Sequence, residues 1–231
     1  MPADPPLSVI IPTFDAAPLL PAALRSLGEA RSFGLLREVV IADGGSRDDT
    51  PAIAAAWGAR VVTAPRGRGA QLAAGAAAAQ GAWLLFLHAD TRLLPEWSRE
   101  VTAFIADRGN RGRAGYLRFR LDDASRGARR LEAAVAWRCR RLALPYGDQG
   151  LLIAAELYHG VGGFRSLPLM EDVEFVRRLG RRRLVPLALD AVTSAARYRR
   201  DGYVWRPLRN LCCLGLYFLG VPPRLILPLY R

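Results

Sequence analysis

EVVIADGGSRDDT, residues 38–50, contains a complete passage from buried strand to polar loop. Val39, Val40 and Ile41 form an uninterrupted apolar run of the kind that a parallel sheet buries on both faces. Asp43 follows the run directly, and Gly44 and Gly45 then permit a tight turn with positive φ. Ser46, Asp48, Asp49 and Thr50 precede Pro51, which is the chemistry of a turn entering a capped helix. A strand that delivers a carboxylate into a loop and gives way to a helix is one unit of an α/β fold. Its ligand-facing end is the carboxyl end of the strand.

The same rhythm continues on both sides. Residues 7–14 (LSVIIPTF), 59–64 and 82–89 (AWLLFLHA) read as further strands. Residues 18–27, 50–57 and 69–80, rich in Ala or Leu, read as the helices between them. This order predicts an α/β domain with a mostly parallel, Rossmann-like central sheet flanked by helices. Beyond Asp107 the pattern changes. Residues 115–121 (GYLRFRL) alternate as an edge or antiparallel strand does, and 125–142 form a basic amphipathic helix. Residues 147–155 and 183–189 return to strand character, and 171–180 read as a helix. No repeat or low-complexity linker interrupts the chain. Residues 1–203 therefore read as one domain, and 204–231, aromatic and Leu-rich, as an amphipathic helical extension packed on it or at a membrane or dimer surface.

With 231 residues and 51% hydrophobic content the chain can bury a large core. Its 33 Lys and Arg against 21 Asp and Glu give a formal charge of +12. Such a field attracts nucleotides, diphosphates, nucleic acid or an anionic membrane, and it also describes a basic solvated surface. Cys139, Cys212 and Cys213 lack metal or redox spacing and read as reduced thiols. The N-terminal stretch has no basic segment followed by a long apolar one, so a cytoplasmic location is expected. Residues 210–223 carry no charge but fall short of the roughly 20 residues that a spanning helix needs.

Polar groups at the strand ends carry the chemistry. The first strand ends in Pro12, Thr13 and Asp15. Asp43, at the end of the second, is suited to accept hydrogen bonds from a base N–H or a ribose hydroxyl. For Asp49 and Thr50 helix capping and ligand contact stand side by side. The fourth strand ends in LHADT, residues 87–91, where Asp90 fits a hard divalent cation bridging diphosphate oxygens. Capping of a helix that opens near Pro95 competes for Asp90, although several residues intervene. His88 reads as a ribose or phosphate contact, or as a histidine satisfied within the fold. In PRGRGAQ, residues 65–71, Arg66, Arg68 and Gln71 enter a helix where backbone amides and cationic forks could converge on an anion. Farther on come YGDQG (146–150), VGGF (161–164) and MED (170–172). Glu171 also fits a partner for a helix dipole. Sugar transfer needs a grip on the nucleotide, a cation for the departing diphosphate and a base for the acceptor's proton. Asp43, Asp90 and Asp172 would supply these in turn.

Taken together, SVIIPTFD, VVIADGGSRDDT, LLFLHADT and the GGF and MED segments resemble family 2 glycosyltransferases of the GT-A fold, over about residues 7–200. GRGAQ, LHADT, YGDQG, LMEDVEF and TSA are similar to a bacterial subgroup of small transferases often found beside radical-SAM proteins. That subgroup is in turn similar to enzymes proposed to glycosylate carotenoid acids. The resemblance implies a base pocket lined by Pro12, Thr13 and Asp15, with Asp43 pairing to the base. Gly44, Arg68, Gln71, His88 and Ala89 complete the donor site. Asp90 corresponds to the last acid of a DxD metal motif, and Asp172 to the catalytic base of an inverting displacement. Gly162, Gly163 and Phe164, with Asp148, Gln149 and Glu171, would border the sugar and acceptor.

His88 replaces the first DxD acid, so that motif offers one carboxylate to Mg²⁺ or Mn²⁺. The expected partners are a nucleoside-diphosphate sugar, a UDP-sugar by preference, and a small or lipidic acceptor. A homodimer or a peripheral contact at the inner face of the cell membrane is compatible with the C-terminal stretch. There Arg206, Arg209 and Arg224 flank LCCLGLYFLGV. A sugar-phosphate nucleotidyltransferase would carry a Gly-rich basic loop after the first strand, where this chain has PTFDAAP. An RNA-binding module would carry stacking aromatics, whereas here the basic residues are scattered, and no nucleic acid is expected.

Overall fold

A computed structural model describes residues 5–146 and 148–230. Gly147, where the YGDQG reading and the strand expected over 147–155 begin to overlap, lies outside the described residues, as do positions 1–4 and 231. The elements in chain order are β1 (Leu7–Thr13), α1 (Leu20–Ser26), α2 (Gly28–Ser32), β2 (Leu36–Asp43), α3 (Thr50–Trp57), β3 (Arg60–Thr63), α4 (Arg68–Ala78) and β4 (Trp83–Phe86). After them come β5 (Thr91–Leu93), α5 (Trp97–Ala106), β6 (Ala114–Leu121), α6 (Arg126–Leu142), β7 (Leu151–Ala154) and α7 (Ala155–Gly160). The chain continues through α8 (Glu171–Leu179), β8 (Leu184–Thr193), α9 (Ala196–Asp201), α10 (Trp205–Phe218) and α11 (Pro223–Tyr230).

The described strands form one sheet in the order β3-β2-β1-β4-β7-β6-β8-β5. Its first half is parallel, as the alternation of strands and helices predicts: β1 pairs with β2 and β4, and β2 with β3. The second half brings antiparallel pairs into the mostly parallel sheet that was expected. β7 runs antiparallel to both β4 and β6, β8 is parallel to β6, and β5 is antiparallel to β8 at the edge. The sheet is therefore mixed. An apolar run specifies a strand but not its direction, which depends on the end from which the chain re-enters the sheet. β5 escapes any reading of periodicity because it is too short to have one, and β8 runs on to Thr193, past the expected end at 189.

Alternate residues of the strands feed cores on the two faces. Leu7, Val9, Ile11, Ile41 and Leu85 pack with Leu20 and Leu24 of α1 and with Trp97, Val101 and Phe104 of α5. On the other face Ile10, Leu84 and Phe86 meet Leu72 and Ala76 of α4, Tyr158 of α7, and Phe175 and Leu179 of α8. Each such side chain contributes about 1.5–3 kcal/mol by leaving water. Gly75 lets α4 lie directly on the sheet: a Cβ there would stand 2.5 Å from Ile10 Cγ2. At the C-terminus, Cys213, Leu214 and Ile226 of α10 and α11 pack on Leu169, Met170 and Val173, the segment that opens α8. No helix of the described residues is long and apolar enough to cross a membrane.

Candidate active site

The ends of β1 and β2 are tied together through Asp43. Its Oδ1 accepts from Thr13 Oγ1 at 2.9 Å and Ser46 Oγ at 2.5 Å, and its Oδ2 from the amides of Gly45 at 3.0 Å and Ser46 at 2.8 Å. Burial acts to raise the pKa of Asp43, but the Ser46, Thr13 and Gly45 hydrogen bonds outweigh it and hold the carboxyl below its ordinary value. Asp15 closes the same loop: its amide donates to Ser46 Oγ at 2.9 Å, and its Oδ1 accepts from Arg47 N at 2.8 Å. Gln71 is buried, and its amide donates to Thr13 O at 2.6 Å and Ala42 O at 3.0 Å. It thus ties β1 to β2 from α4. Gly44 leaves room for that amide, since a Cβ would sit 3.0 Å from Gln71 Nε2. Pro12 stands opposite Ala42 in the β1–β2 register. The Arg66 guanidinium covers the Phe14 ring at 3.8 Å, a pairing that the sequence reading had not drawn.

A second cluster forms where β4 ends. His88 Nδ1 lies 2.6 Å from Asp148 Oδ1, and Arg68 Nη1 lies 3.4 Å from His88 Nε2. His88, Asp90 and Asp148 each offer a ligand atom, and these atoms all lie within 4.8 Å of one another. Ala89 sits between the first two, partly buried against the core. Arg197, at the start of α9, approaches Asp90 Oδ2 to 3.8 Å. Burial, together with the neighbouring Asp148 charge, pushes the pKa of Asp90 up. Burial presses Asp148 the same way, but the hydrogen bond and charge of His88, with Arg68 and Arg197, hold it well below the usual carboxylate range. The resemblance implies a place for Asp148 beside the acceptor; its carboxylate here also lies in one cluster with His88, 60 positions away.

Arg68 links this cluster to α8, its Nε 3.3 Å from Glu171 Oε1. Burial disfavours its charge, but Glu171 foremost holds the guanidinium protonated. Glu171 is itself buried, which raises its pKa, and Arg68 opposes the rise. The contact requires α4 to start hard against the loop before α8, and Gly69 allows it: a Cβ there would collide with the backbone of Arg165 and Leu167. Met170, at φ +65, turns the chain into α8, whose first turn carries Glu171 and Asp172. Asp172 Oδ1 accepts from Val173 N at 2.7 Å.

The GGF loop backs this turn. Gly163 O accepts from Arg178 Nη2 at 2.6 Å, and the Phe164 ring packs against Phe86, Tyr158 and Phe175. Gly162 and Gly163 take positive φ to make the bend. Phe164, His88, Gln149, Glu171 and Asp172 share a hollow of about 40 Å³. The Gln149 side chain is buried among Leu117 O, Arg138 and Cys139.

Asp90, Asp148, Glu171, Asp172, Arg68 and Arg197 line one cavity of about 370 Å³, whose other walls come largely from α6 and α10. Asp43, Thr13 and Asp15 lie outside it, at the ends of β1 and β2. The first turn of α4 spans the two places, with Gln71 on the strands and Arg68 on the acids. Arg197 and Tyr198 of the cavity wall are not among the site residues expected from the sequence, and apart from the TSA resemblance beside Arg197 no local signal marks them; Tyr146 stands in the YGDQG motif without an assigned role.

Residues 8–167 match the family model for Glycosyl transferase family 2. No curated protein is similar enough in sequence to count as a match. Among solved structures, glucosyl-3-phosphoglycerate synthase from Mycobacterium tuberculosis with Mn²⁺ and UDP-glucose superposes with a TM-score of 0.61 at 20% identity, over 94% of this chain and 80% of that one. The same enzyme with Mn²⁺, UDP and glucosyl-3-phosphoglycerate gives 0.56 at 21% identity, over 82% and 70%. S. aureus TarS 1-349 with UDP-GlcNAc gives 0.62 at 16% identity, over 91% of this chain and 66% of that one. The chain thus spans just under two thirds of that TarS fragment. At these identities the likeness is one of fold, the GT-A arrangement expected from the motifs. The family match is broader in consequence, because it runs from β1 to the GGF loop and takes in more than half of the chain: by it the chain belongs to glycosyltransferase family 2.

Proposed function

We propose that the chain transfers a sugar from a nucleoside-diphosphate donor, a UDP-sugar by preference, to an acceptor oxygen with inversion at the anomeric carbon. The observation that carries this reading is the meeting of Asp90, Asp148, Asp172, Arg68 and Arg197 in one cavity, beside the loop organised by Asp43. The nucleotide base fits the ends of β1 and β2, near Pro12, Thr13, Asp15 and the Arg66–Phe14 pair. Asp43 acts there by fixing the loop, since its oxygens are engaged by Thr13, Gly45 and Ser46.

One imidazole and two carboxylates within 4.8 Å of one another suit Mn²⁺ or Mg²⁺, which favour hard oxygen donors. His88, Asp90 and Asp148 would hold the ion. When bound, it neutralises charge gathering on the departing diphosphate. The solved synthase with Mn²⁺ and UDP-glucose supports the choice. Arg68 and Arg197 supply fixed positive charge to the same oxygens. Asp172 takes the proton of the acceptor as its oxygen bonds to the anomeric carbon. The bond from that carbon to the diphosphate breaks on the opposite side, and its electron pair leaves with the nucleoside diphosphate.

Calorimetric titration of UDP-, GDP- and dTDP-sugars with Mn²⁺, paired with donor turnover, tests the assignment. Asp172→Asn is expected to bind donor normally and to lose roughly 10²–10⁴-fold in turnover, the usual worth of a general base. Asp90→Ala is expected to weaken Mn²⁺-dependent donor binding. Normal turnover in the first variant, or donor affinity indifferent to Mn²⁺ in the wild type, would overturn the corresponding role.

A further inference from the structure

We infer that the acceptor is an amphiphile whose hydrocarbon body lies between α6 and α10 and whose hydroxyl head meets Asp172; this rests on the transferase reading above. The cavity has two chemically distinct linings. Its acids and their arginines form one connected set. Arg197 reaches Asp90, Asp90 and Asp148 gather on His88, and Arg68 touches both His88 and Glu171, next to Asp172. The rest of the wall is largely apolar, with Leu131, Ala134 and Val135 on α6 and Leu211 and Leu214 on α10, joined by Phe119 of β6.

Charges that share this second wall are already engaged within the fold. Arg138 lies over the Tyr146 ring at 3.7 Å and donates to Leu144 O at 3.0 Å and Gln149 Oε1 at 3.1 Å. Arg206 is paired with Asp201. Apart from Asn210 of α10, whose buried Oδ1 has no hydrogen-bond partner, the wall therefore presents hydrocarbon stems and rings to an occupant. Trp137 and Leu211, also lining the cavity, are 54% and 63% exposed, and water disfavours such surface until an apolar partner covers it. A volume of about 370 Å³ lies within the range of small-molecule sites. A compact, fully polar acceptor would meet the acids and leave the α6–α10 wall unused. An amphiphile matches both linings, placing its nucleophilic oxygen where the proton passes to Asp172 and the diphosphate departs.

The test uses the whole chain and the fluorescent long-chain polyene cis-parinaric acid, displaced by n-alkanols of increasing length. Wild-type protein should bind the probe, and each added methylene should tighten the alkanol about fourfold until the cavity is filled, the ratio equivalent to ~0.8 kcal/mol. Ala134→Trp and Leu211→Arg alter exposed positions on the two facing helices, so both variants should fold, as an unfolding midpoint near that of the wild type would verify. Each should weaken the probe by about tenfold or more while leaving Mn²⁺-dependent UDP binding intact. Absence of probe binding, displacement independent of chain length, or full probe affinity in both variants would refute the amphiphile site. Probe binding without any UDP binding by the wild type would instead overturn the donor reading, and with it the role of the bound amphiphile as acceptor.

Discussion

Asp43 shows how one side chain can hold a loop and set an acid limit on the fold. Four donors converge on its two oxygens, from Thr13, Gly45 and twice from Ser46. Asp43→Asn places an amide NH₂ against groups that are themselves donors, and leaving such groups unsatisfied costs about 1–3 kcal/mol. The pH dependence follows from the sign of the shift. The folded-state pKa is depressed below the ordinary value of 3.8, so the stabilisation is fully present above 3.8 and is lost below it, as pH falls through the lower folded-state pKa. Urea unfolding at mildly and strongly acidic pH should therefore show the wild type losing its advantage over Asp43→Asn in the more acidic buffer. A constant difference between the two proteins would mean that Asp43 does not titrate as its hydrogen bonds imply. His88 and Asp148 make a different point at the same scale. At position 88, where the DxD pattern has its first acid, the imidazole contacts a carboxylate from the loop before β7.

At the scale of elements, the segment carrying Asp172 is held between two supports. The GGF loop and its aromatic cluster back it from one side, and α10 and α11 pack on Leu169, Met170 and Val173 from the other. Ile226, 1% exposed, sits at that second contact. Ile226→Ala should destabilise the protein by about 2–5 kcal/mol through the cavity it leaves. Because the loosened neighbours are those that open α8, turnover should fall further than donor affinity does. Steady-state kinetics separating kcat from the donor KM would check this, and a change confined to KM would contradict it. α4 works as a ruler between the two parts of the site, with Gln71 fastened to the strand ends and Arg68, one turn earlier, to Glu171.

For the molecule as a whole, the proposed donor site draws on groups spread from β1 to α9, so a bound donor should stabilise the entire domain. A ligand at about 100 times its Kd adds about 2.7 kcal/mol. For a chain of this size that corresponds to a rise in Tm of roughly 5–10 °C. UDP with Mn²⁺ should reach this range. Chelation of the metal should remove most of the shift, and Asp148→Ala should lose it as fully as Asp90→Ala does. An Asp148→Ala protein with an undiminished Mn²⁺-dependent shift would exclude Asp148 from the cation cluster.

The local pattern of the chain determined the parallel half of the sheet, the helices that flank it and the polar residues at the strand ends. Thr13, Asp15, Asp43, His88 and Asp90 were legible because periodicity, turn chemistry and a polar group after an apolar run all act between neighbouring residues. Tertiary structure alone decided the direction of β7, the use of Gln71 as a tie between β1 and β2, the meeting of Asp148 with His88 and the separation of Asp43 from the cavity of Asp172. The two-sided lining of that cavity belongs with these, since α6 and α10 lie far apart in the chain. Each depends on the path by which distant segments return to the sheet, and contacts of that kind are set by packing, on which no short window of sequence reports.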